Sequence, residues 1–252
     1  MRIFGIPIDN LSREAILERV DFFLDEPRFH RIATVNPEFL LEAKKNASFR
    51  EALLAADLRI ADGFGIVLAG WLQGERVRRV PGADLMEEIL KVANVKQLSI
   101  FLAVRADGLS TYEEIRSAIL KKYPYLKISG ADIDPQIHDS RFIPPARLAE
   151  AWAKRAGRAG IHDSIILCNF GAPEQEIFLS HLRDMSEAPR LAMGVGGSFD
   201  YLTGRQKRAP EWVRAIGLEW LWRLIRQPKR WKRIWNAVCV FPFRVIFDTI
   251  GK

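Results

Sequence analysis

A carboxylate stands at the end of one predicted strand. Asp62 directly follows the mostly apolar run Leu58-Arg59-Ile60-Ala61 and precedes Gly63-Phe64-Gly65. A carboxylate in this position can take a proton as a general base or cap the helix that follows, and the residues alone do not separate these roles. The glycines let the backbone approach a ligand and adopt positive φ angles. Asp62 is therefore the first candidate for chemistry.

A second strand end reads Thr34-Val35-Asn36-Pro37-Glu38. Thr34 and Asn36 lie two residues apart, so in a strand their side chains point to the same face. Asn36 before Pro37 is also typical of a helix start, with an asparagine cap and a proline at the first helical position. Taken alone, the segment is better explained by the cap.

Two glycine turns follow apolar strands further along the chain, one at residues 169–176 and one at residues 194–200. Backbone N–H groups at helix starts of this kind suit phosphate oxygens. The second turn departs from the G-x-G-x-x-G fingerprint because Phe199 occupies the position of the last glycine. A dinucleotide oxidoreductase is therefore only weakly supported.

Metal chemistry has little support in the sequence. Asp132-Ile133-Asp134 has the D-x-D spacing of metal-dependent glycosyltransferases, but an oxygen-ligand site needs more ligands than two residues supply. The four histidines share no ligand spacing. The two cysteines support neither a disulfide framework nor a thiolate site and favour a reducing compartment. We expect no metal and no other cofactor.

These turns must be held by the elements around them, and the chain alternates strands with helices. The pattern predicts an α/β fold, Rossmann-like, with a largely parallel sheet flanked by helices and ligands at the carboxyl ends of the strands. The apolar runs indicate neither a signal peptide nor a transmembrane helix. The predicted strands are 2–8, 31–35, 58–61, 99–104, 127–129, 164–168 and 190–195. The predicted helices are 13–24, 37–45, 48–56, 66–72, 82–92, 110–122, 145–156 and 211–226.

The positive charge is concentrated at the C-terminal end. Of the formal net charge of +7, residues 205–252 carry +9 (twelve Lys/Arg minus three Asp/Glu), so the rest carries −2. Five of the seven tryptophans lie there as well. We therefore divide the chain into a body, residues 1–203, and a tail, residues 204–252. Basic and aromatic residues in this mixture are typical of a helix lying on a membrane. Nucleic-acid binding and packing on the protein's own core or on a partner subunit are the alternatives.

Seven motifs in order carry a family resemblance. The sequence resembles the WecG/TagA/CpsF family of bacterial glycosyltransferases over nearly its whole length. The motifs are Thr34-Val35-Asn36, residues 61–65, Arg79-Val80-Pro81-Gly82-Ala83-Asp84-Leu85, residues 171–176, Gly194-Val195-Gly196-Gly197, Arg208-Ala209-Pro210-Glu211-Trp212 and residues 217–224.

The resemblance implies transfer of a sugar, often N-acetylmannosamine, from a UDP donor to an undecaprenyl-diphosphate-linked sugar. It implies inversion at the anomeric carbon, no metal, and a role in surface polysaccharide or teichoic acid synthesis. It further implies a peripheral enzyme on the cytoplasmic face of the plasma membrane, whose C-terminal appendage docks to the bilayer and completes the active site. A homo-oligomer is compatible with it, and no nucleic-acid partner is expected.

The resemblance also assigns roles to residues. Asp62 matches the base, Thr34 and Asn36 line the sugar site, and Arg79 is a basic residue near the catalytic centre, with a surface salt bridge as its alternative. Gln175 matches a substrate-contacting amide, with a helix cap as its alternative. Further substrate-binding candidates are Gly63, Gly171, Gly194, Gly196 and Asp200. The tail candidates, for substrate or for lipid, are Arg208, Arg214, Arg223 and Arg230.

One turn departs from the family pattern. After the predicted strand 99–104 the family usually has a glycine-rich turn, whereas residues 104–109 contain a single glycine, Gly108. This change affects the expected nucleotide pocket. It leaves a second hypothesis open, a non-catalytic membrane adaptor that keeps the fold.

Overall fold

The computed structural model describes residues 1–134, 164–185 and 188–250; the predicted helix 145–156, His138 and His162 lie outside these ranges. The strands are β1 Arg2–Ile3, β2 Ile6–Pro7, β3 His30–Val35, β4 Leu58–Ala61, β5 Ser99–Arg105, β6 Lys127–Ile133, β7 Ser164–Cys168 and β8 Leu191–Gly194.

The helices of the body are α1 Arg13–Asp25, α2 Pro37–Ala43, α3 Ala47–Leu54, α4 Phe64–Leu72, α5 Gly82–Val95, α6 Tyr112–Lys122, α7 Glu174–His181 and α8 Ser198–Leu202. Those of the tail are α9 Glu211–Ala215, α10 Glu219–Arg226, α11 Trp231–Trp235 and α12 Phe241–Ile250, with a 3-10 turn Pro228–Arg230 before α11 and a π-helical turn Asn236–Val240 after it.

Six strands form one parallel sheet in the order β4-β3-β8-β7-β5-β6. Neighbouring residues of its strands pack into different cores: Ile32 belongs to a cluster with α1, α5 and α6, and Ala33 to one with α2 and α3. Because side chains alternate across a strand, the sheet is covered by helices on both faces. The predicted α/β fold is confirmed.

The parallel register brings strand ends together. Val35 of β3 pairs with Ala61 of β4, and Cys168 of β7 pairs with Gly194 of β8. The turns after all four strands therefore open at the same edge of the sheet, where open α/β sheets bind ligands.

Three predicted elements are wrong in detail. The predicted strand 2–8 is two short antiparallel strands, β1 and β2, joined by Phe4 and Gly5 at φ angles of 50° and 78°. The predicted helix 211–226 is broken into α9 and α10 because Gly217 adopts a φ of 78°. A Cβ at Gly217 would lie 2.6 Å from Cδ2 of Phe64, so the break lets the tail approach the body closely. β6 also runs to Ile133, four residues beyond the predicted end.

The tail shares a core with the body. Phe241 and Val245 of α12 are buried in the cluster that contains β1, α2 and α3, and Phe241 packs edge-on against Phe4 with ring centroids 5.9 Å apart. Among the described residues, no helix has both the length and the apolar character needed to cross a membrane. The boundary at residues 203 and 204 stays a prediction.

Candidate active site

A cleft of about 560 Å³ lies over the carboxyl ends of β3, β4, β5, β7 and β8, and the tail forms one of its walls. This volume is in the range that holds a small-molecule ligand. It gathers most of the predicted site residues: Thr34, Asn36, Asp62, Gly63, Arg79, Gly171, Gln175, Gly196, Asp200, Arg208 and Arg223.

Two predicted residues do not line the cleft. Gly194 lies beneath it, where a Cβ would overlap the Gln175 and Glu176 side chains. Arg214 turns its Nε to the Ala209 carbonyl and accepts a hydrogen bond from Arg79 on its own carbonyl. Arg230 ends the turn Pro228–Arg230, and its side chain lies outside the described part of the structure. Gly194 and Arg214 therefore shape the site from behind rather than face a ligand.

Asp62 follows β4 directly and faces the cleft. The hydrogen bonding between β3 and β4 continues one residue past β4, because Asp62 N–H donates to the Val35 carbonyl at 2.7 Å. Burial raises the pKa of the Asp62 carboxyl above its ordinary value, and the negative charge of Glu219 adds to the rise. Arg223, Arg79 and the Gly82 N–H act in the opposite direction. A carboxylate with a raised pKa is a better proton acceptor than an exposed one.

Asn36 caps a helix and also lines the cleft. Its Oδ1 accepts a hydrogen bond from Phe39 N–H at 3.0 Å and so caps α2, while its side chain lines the cleft. Thr34 is 7% exposed at the end of β3 and packs against Gly82, where a Cβ would come within 3.0 Å of Thr34 Cγ2. The small residue at the start of α5 therefore makes room for Thr34.

Gln175 is held by a buried polar chain. Its Oε1 accepts from Gly171 N–H at 3.2 Å and its Nε2 donates to Glu176 Oε1 at 3.1 Å. Glu176 Oε2 in turn lies 2.5 Å from Nη1 of Arg31, whose Nη2 donates to the Ala52 carbonyl. Gln175 is thus fixed in the cleft lining by hydrogen bonds at both ends of its amide. The chain through Glu176 and Arg31 was missed in the sequence, because its partners are 145 residues apart.

Asp200 lies at the start of α8 and is 8% exposed. Its Oδ1 accepts a hydrogen bond from Ser110 Oγ at 2.8 Å, and Ser110 Oγ is also 2.8 Å from Thr203 Oγ1. This arrangement fixes one carboxylate oxygen at the cleft wall near Gly196. A fixed acceptor at this position suits the hydroxyl or N–H donors of a nucleoside.

Two tail arginines flank Tyr201 in the cleft. Their Cζ atoms lie 5.9 Å (Arg208) and 5.7 Å (Arg223) from the ring centroid. Arg208 pairs with Asp84 through Nη1. Its Nε and Nη2, like Nε of Arg223, are buried N–H groups without a hydrogen-bond partner among the residues that the structure describes. Buried donors without acceptors are unfavourable, so these groups are ready to receive an anionic ligand.

The tail is fastened to the body by further charged contacts. Arg233 of α11 binds Glu38 of α2 with both Nε and Nη2, and Arg79 of the body lies 3.4 Å from Glu219 of α10. All four of these residues line the cleft. Glu219 lies within the motif at residues 217–224, where the sequence alone indicates no role for it.

The glycine-poor turn after β5 places an arginine in the cleft. Arg105 Nη1 donates to the Phe170 carbonyl at 2.7 Å, its Nε pairs with Asp107, and its backbone N–H donates to Asn169 Oδ1 at 2.7 Å. The turn is thereby tied to the end of β7. Arg105 therefore adds a positively charged side chain to the cleft lining, and this segment does not close the cleft.

The D-x-D segment has a structural role at its first residue. Asp132 Oδ1 accepts a hydrogen bond from the N–H of Tyr112, the first residue of α6. Asp132 and Asp134 are both absent from the cleft lining. Within residues 1–134, 164–185 and 188–250, no group of three His, Cys, Asp or Glu side chains is placed to hold a metal ion.

Comparisons with known proteins agree with this geometry. The sequence is 32% identical over 235 residues to an N-acetylglucosaminyldiphosphoundecaprenol N-acetyl-beta-D-mannosaminyltransferase of Bacillus subtilis, covering 92% of this chain and 86% of that protein. A protein of the same name from Bacillus spizizenii is 30% identical over 215 residues, covering 84% of this chain and 77% of its own. The profile of the Glycosyl transferase WecG/TagA/CpsF family matches residues 1–252. The chain therefore belongs to the WecG/TagA/CpsF family of glycosyltransferases.

Proposed function

We propose that this chain transfers an N-acetylmannosamine-type sugar from a UDP donor to an undecaprenyl-diphosphate-linked sugar, with inversion and with Asp62 as the general base. The observation that carries the proposal is the placement of Asp62 beside Arg79 and Arg223 in a cleft of donor size. The names of the two Bacillus relatives supply the sugar and the lipid-linked acceptor.

In the proposed reaction, an acceptor hydroxyl oxygen attacks the anomeric carbon of the donor sugar. Its proton passes to a carboxylate oxygen of Asp62, a new C–O bond forms, and the bond between the anomeric carbon and the β-phosphate oxygen breaks. UDP leaves with the electron pair, and attack from the opposite side inverts the configuration. A positioned base contributes about 10²–10⁴-fold to such a step.

The leaving diphosphate is neutralised by arginines and backbone N–H groups in this proposal, without a metal ion. Arg208 and Arg223 offer buried N–H groups beside Tyr201, and Gly171 and Gly196 lie at turns with φ angles of 82° and 48° before α7 and α8. Charge-assisted hydrogen bonds of this kind stabilise the charge that develops as the bond breaks. Asp200 would then hold the nucleoside.

The tail has a second, outward-facing surface. Its large exposed apolar side chains are Trp212, Ile216, Leu221, Ile225, Trp231, Trp235, Phe243, Ile246 and Phe247. In the sequence they are interleaved with the lysines and arginines of the tail. Each lysine or arginine close to an anionic membrane contributes about 1 kcal/mol to binding. We propose that this surface rests on the cytoplasmic face of the plasma membrane, where a polyprenyl-linked acceptor lies, while Val213, Phe241 and Val245 pack on the body.

The most direct experiment offers the protein a panel of UDP-sugars together with a short-chain lipid-diphosphate N-acetylglucosamine and determines product masses. We expect one product heavier by an N-acetylhexosamine residue and release of UDP. A panel without any product, together with no UDP binding by calorimetry, would contradict the proposal. An absence of UDP binding would favour the hypothesis of a non-catalytic membrane adaptor. Under that hypothesis the protein floats with anionic vesicles but does not bind a nucleotide.

A further inference from the structure

A carboxylate of the tail lies among the arginines of the cleft. Glu219 is the first residue of α10, and its side chain is 14% exposed. Its Oε2 lies 3.4 Å from Nη2 of Arg79, on the body, and its Oε1 accepts a hydrogen bond from Nη2 of Arg223 at 2.9 Å. One carboxylate therefore bridges an arginine of the body and an arginine of the tail.

The same three groups act on Asp62. Arg223 and Arg79 favour the charged form of its carboxylate, and Glu219 opposes it. The Gly82 N–H at the start of α5 also favours the charged form, and Cζ of Arg223 lies 5.7 Å from the ring centroid of Tyr201 in α8. Two cations beside a base make it a weaker proton acceptor, so a nearby negative charge restores part of its basicity.

Glu219 also has an ordinary structural interpretation. An acidic residue in the first turn of a helix interacts favourably with the helix dipole, by about 0.3–1 kcal/mol. Glu211 occupies the same position in α9, where it is exposed and does not line the cleft. Glu219 differs from it in contacting two arginines at the wall of the cleft, which the dipole does not require.

We propose that Glu219 is a positioning residue for the transfer reaction: when the tail packs on the body, it holds Arg79 and Arg223 beside Asp62 and offsets their charge at the base. The inference rests on the proposed function, in which Asp62 accepts the proton. Glu219 and Arg223 both belong to α10. The charged groups around Asp62 are therefore all in place only when the tail is packed on the body.

The test compares full-length wild type with Glu219→Gln, Glu219→Asp and the matched control Glu211→Gln. Transfer from UDP-N-acetylmannosamine to a short-chain lipid-diphosphate N-acetylglucosamine is measured across pH. Selective ¹³C labelling of aspartate, assigned with Asp62→Asn, follows the titration of the Asp62 carboxyl without turnover. Melting temperatures confirm that each variant is folded.

We expect Glu219→Gln to lower kcat by about 10- to 100-fold, as misplaced catalytic groups do. It should also move the acid limb of the kcat/KM profile and the Asp62 titration to lower pH. Glu219→Asp should keep the acid limb and the Asp62 titration near their wild-type positions, because it keeps the negative charge. The control Glu211→Gln should change neither the acid limb nor the titration.

The outcomes separate the two proposals. An unchanged Asp62 titration and an unchanged acid limb in folded Glu219→Gln would overturn the role of Glu219, even if the wild type is active. A shifted titration in a protein that transfers no sugar would support the role of Glu219 in the site and contradict the proposed reaction.

Discussion

The ion pair between Arg31 and Glu176 offers the sharpest stability prediction. Their side chains are 1% and 0% exposed, so both charges are shielded from solvent. Removing one member of a buried pair costs about 3–5 kcal/mol, because the other charge is left uncompensated. In a chain of this length each kcal/mol lowers the melting temperature by about 2–4 °C, so we expect a fall of about 6–20 °C.

The variants are Glu176→Gln, which keeps the size of the side chain, and the double variant Arg31→Met/Glu176→Leu, which removes both charges. Urea unfolding is followed by far-UV circular dichroism rather than by fluorescence, because five of the seven tryptophans lie in the tail. Glu176→Gln should lower the free energy of unfolding by the full amount of about 3–5 kcal/mol. The double variant should regain most of this free energy, since apolar residues replace a buried pair with little loss of stability.

The matched control is the ion pair between Lys122 and Glu87, whose side chains are 50% and 33% exposed. Glu87→Gln should change the free energy of unfolding by about 1 kcal/mol or less, as exposed pairs do. A loss below 1 kcal/mol in Glu176→Gln, or a double variant no more stable than the single one, would refute the reasoning.

Three further predictions concern the site and the tail. Asp62→Asn should raise the melting temperature at pH 7, because burial raises the pKa of Asp62 and the charged carboxylate is disfavoured in the folded protein. This gain in melting temperature should shrink as the pH falls, because the wild-type carboxyl then takes up its proton. A lower melting temperature at pH 7 would contradict this. Gly217→Ala should undock the tail and abolish transfer, because alanine in this left-handed conformation costs about 1–2 kcal/mol and its Cβ would collide with Phe64. The control Gly74→Ala has a similar φ of 76° but no neighbour within 4 Å, so it should keep activity. Equal activity in the two variants would argue against a docked tail. A charged disulfide reagent should label exposed Cys239 and leave Cys168 unreacted until unfolding, since burial raises the pKa of the Cys168 thiol; rapid labelling of both would contradict the packing of β7.

The inner strands of the parallel sheet can be predicted from the sequence where they are buried on both faces and appear as apolar runs. β8, for example, reads Leu191-Ala192-Met193-Gly194 and is buried at all four positions. The strand ends follow from the same runs, so Asp62, Thr34 and Gly196 could be placed at one edge before any coordinates. The family motifs then narrowed the candidates to a set of residues most of which line the cleft.

Other features depend on contacts between distant residues, and local patterns do not contain them. The apolar spacing of residues 211–226 fits one helix, and only the approach of Phe64 to Gly217 explains the break. Arg31 in β3 looks like an ordinary strand residue until Glu176 is placed beside it. Glu219 looks like a first-turn acidic residue, since its partner Arg79 is 140 residues away.

The central claim is that Asp62 takes the proton from the acceptor during sugar transfer. The direct measurement is the steady-state rate of transfer from UDP-N-acetylmannosamine to a lipid-diphosphate N-acetylglucosamine by Asp62→Asn, beside wild type at pH 7 on the same vesicles. We predict that kcat falls by about 10²–10⁴-fold, as loss of a general base requires, while calorimetry shows UDP still bound. A variant that transfers sugar within tenfold of the wild-type rate would contradict the account.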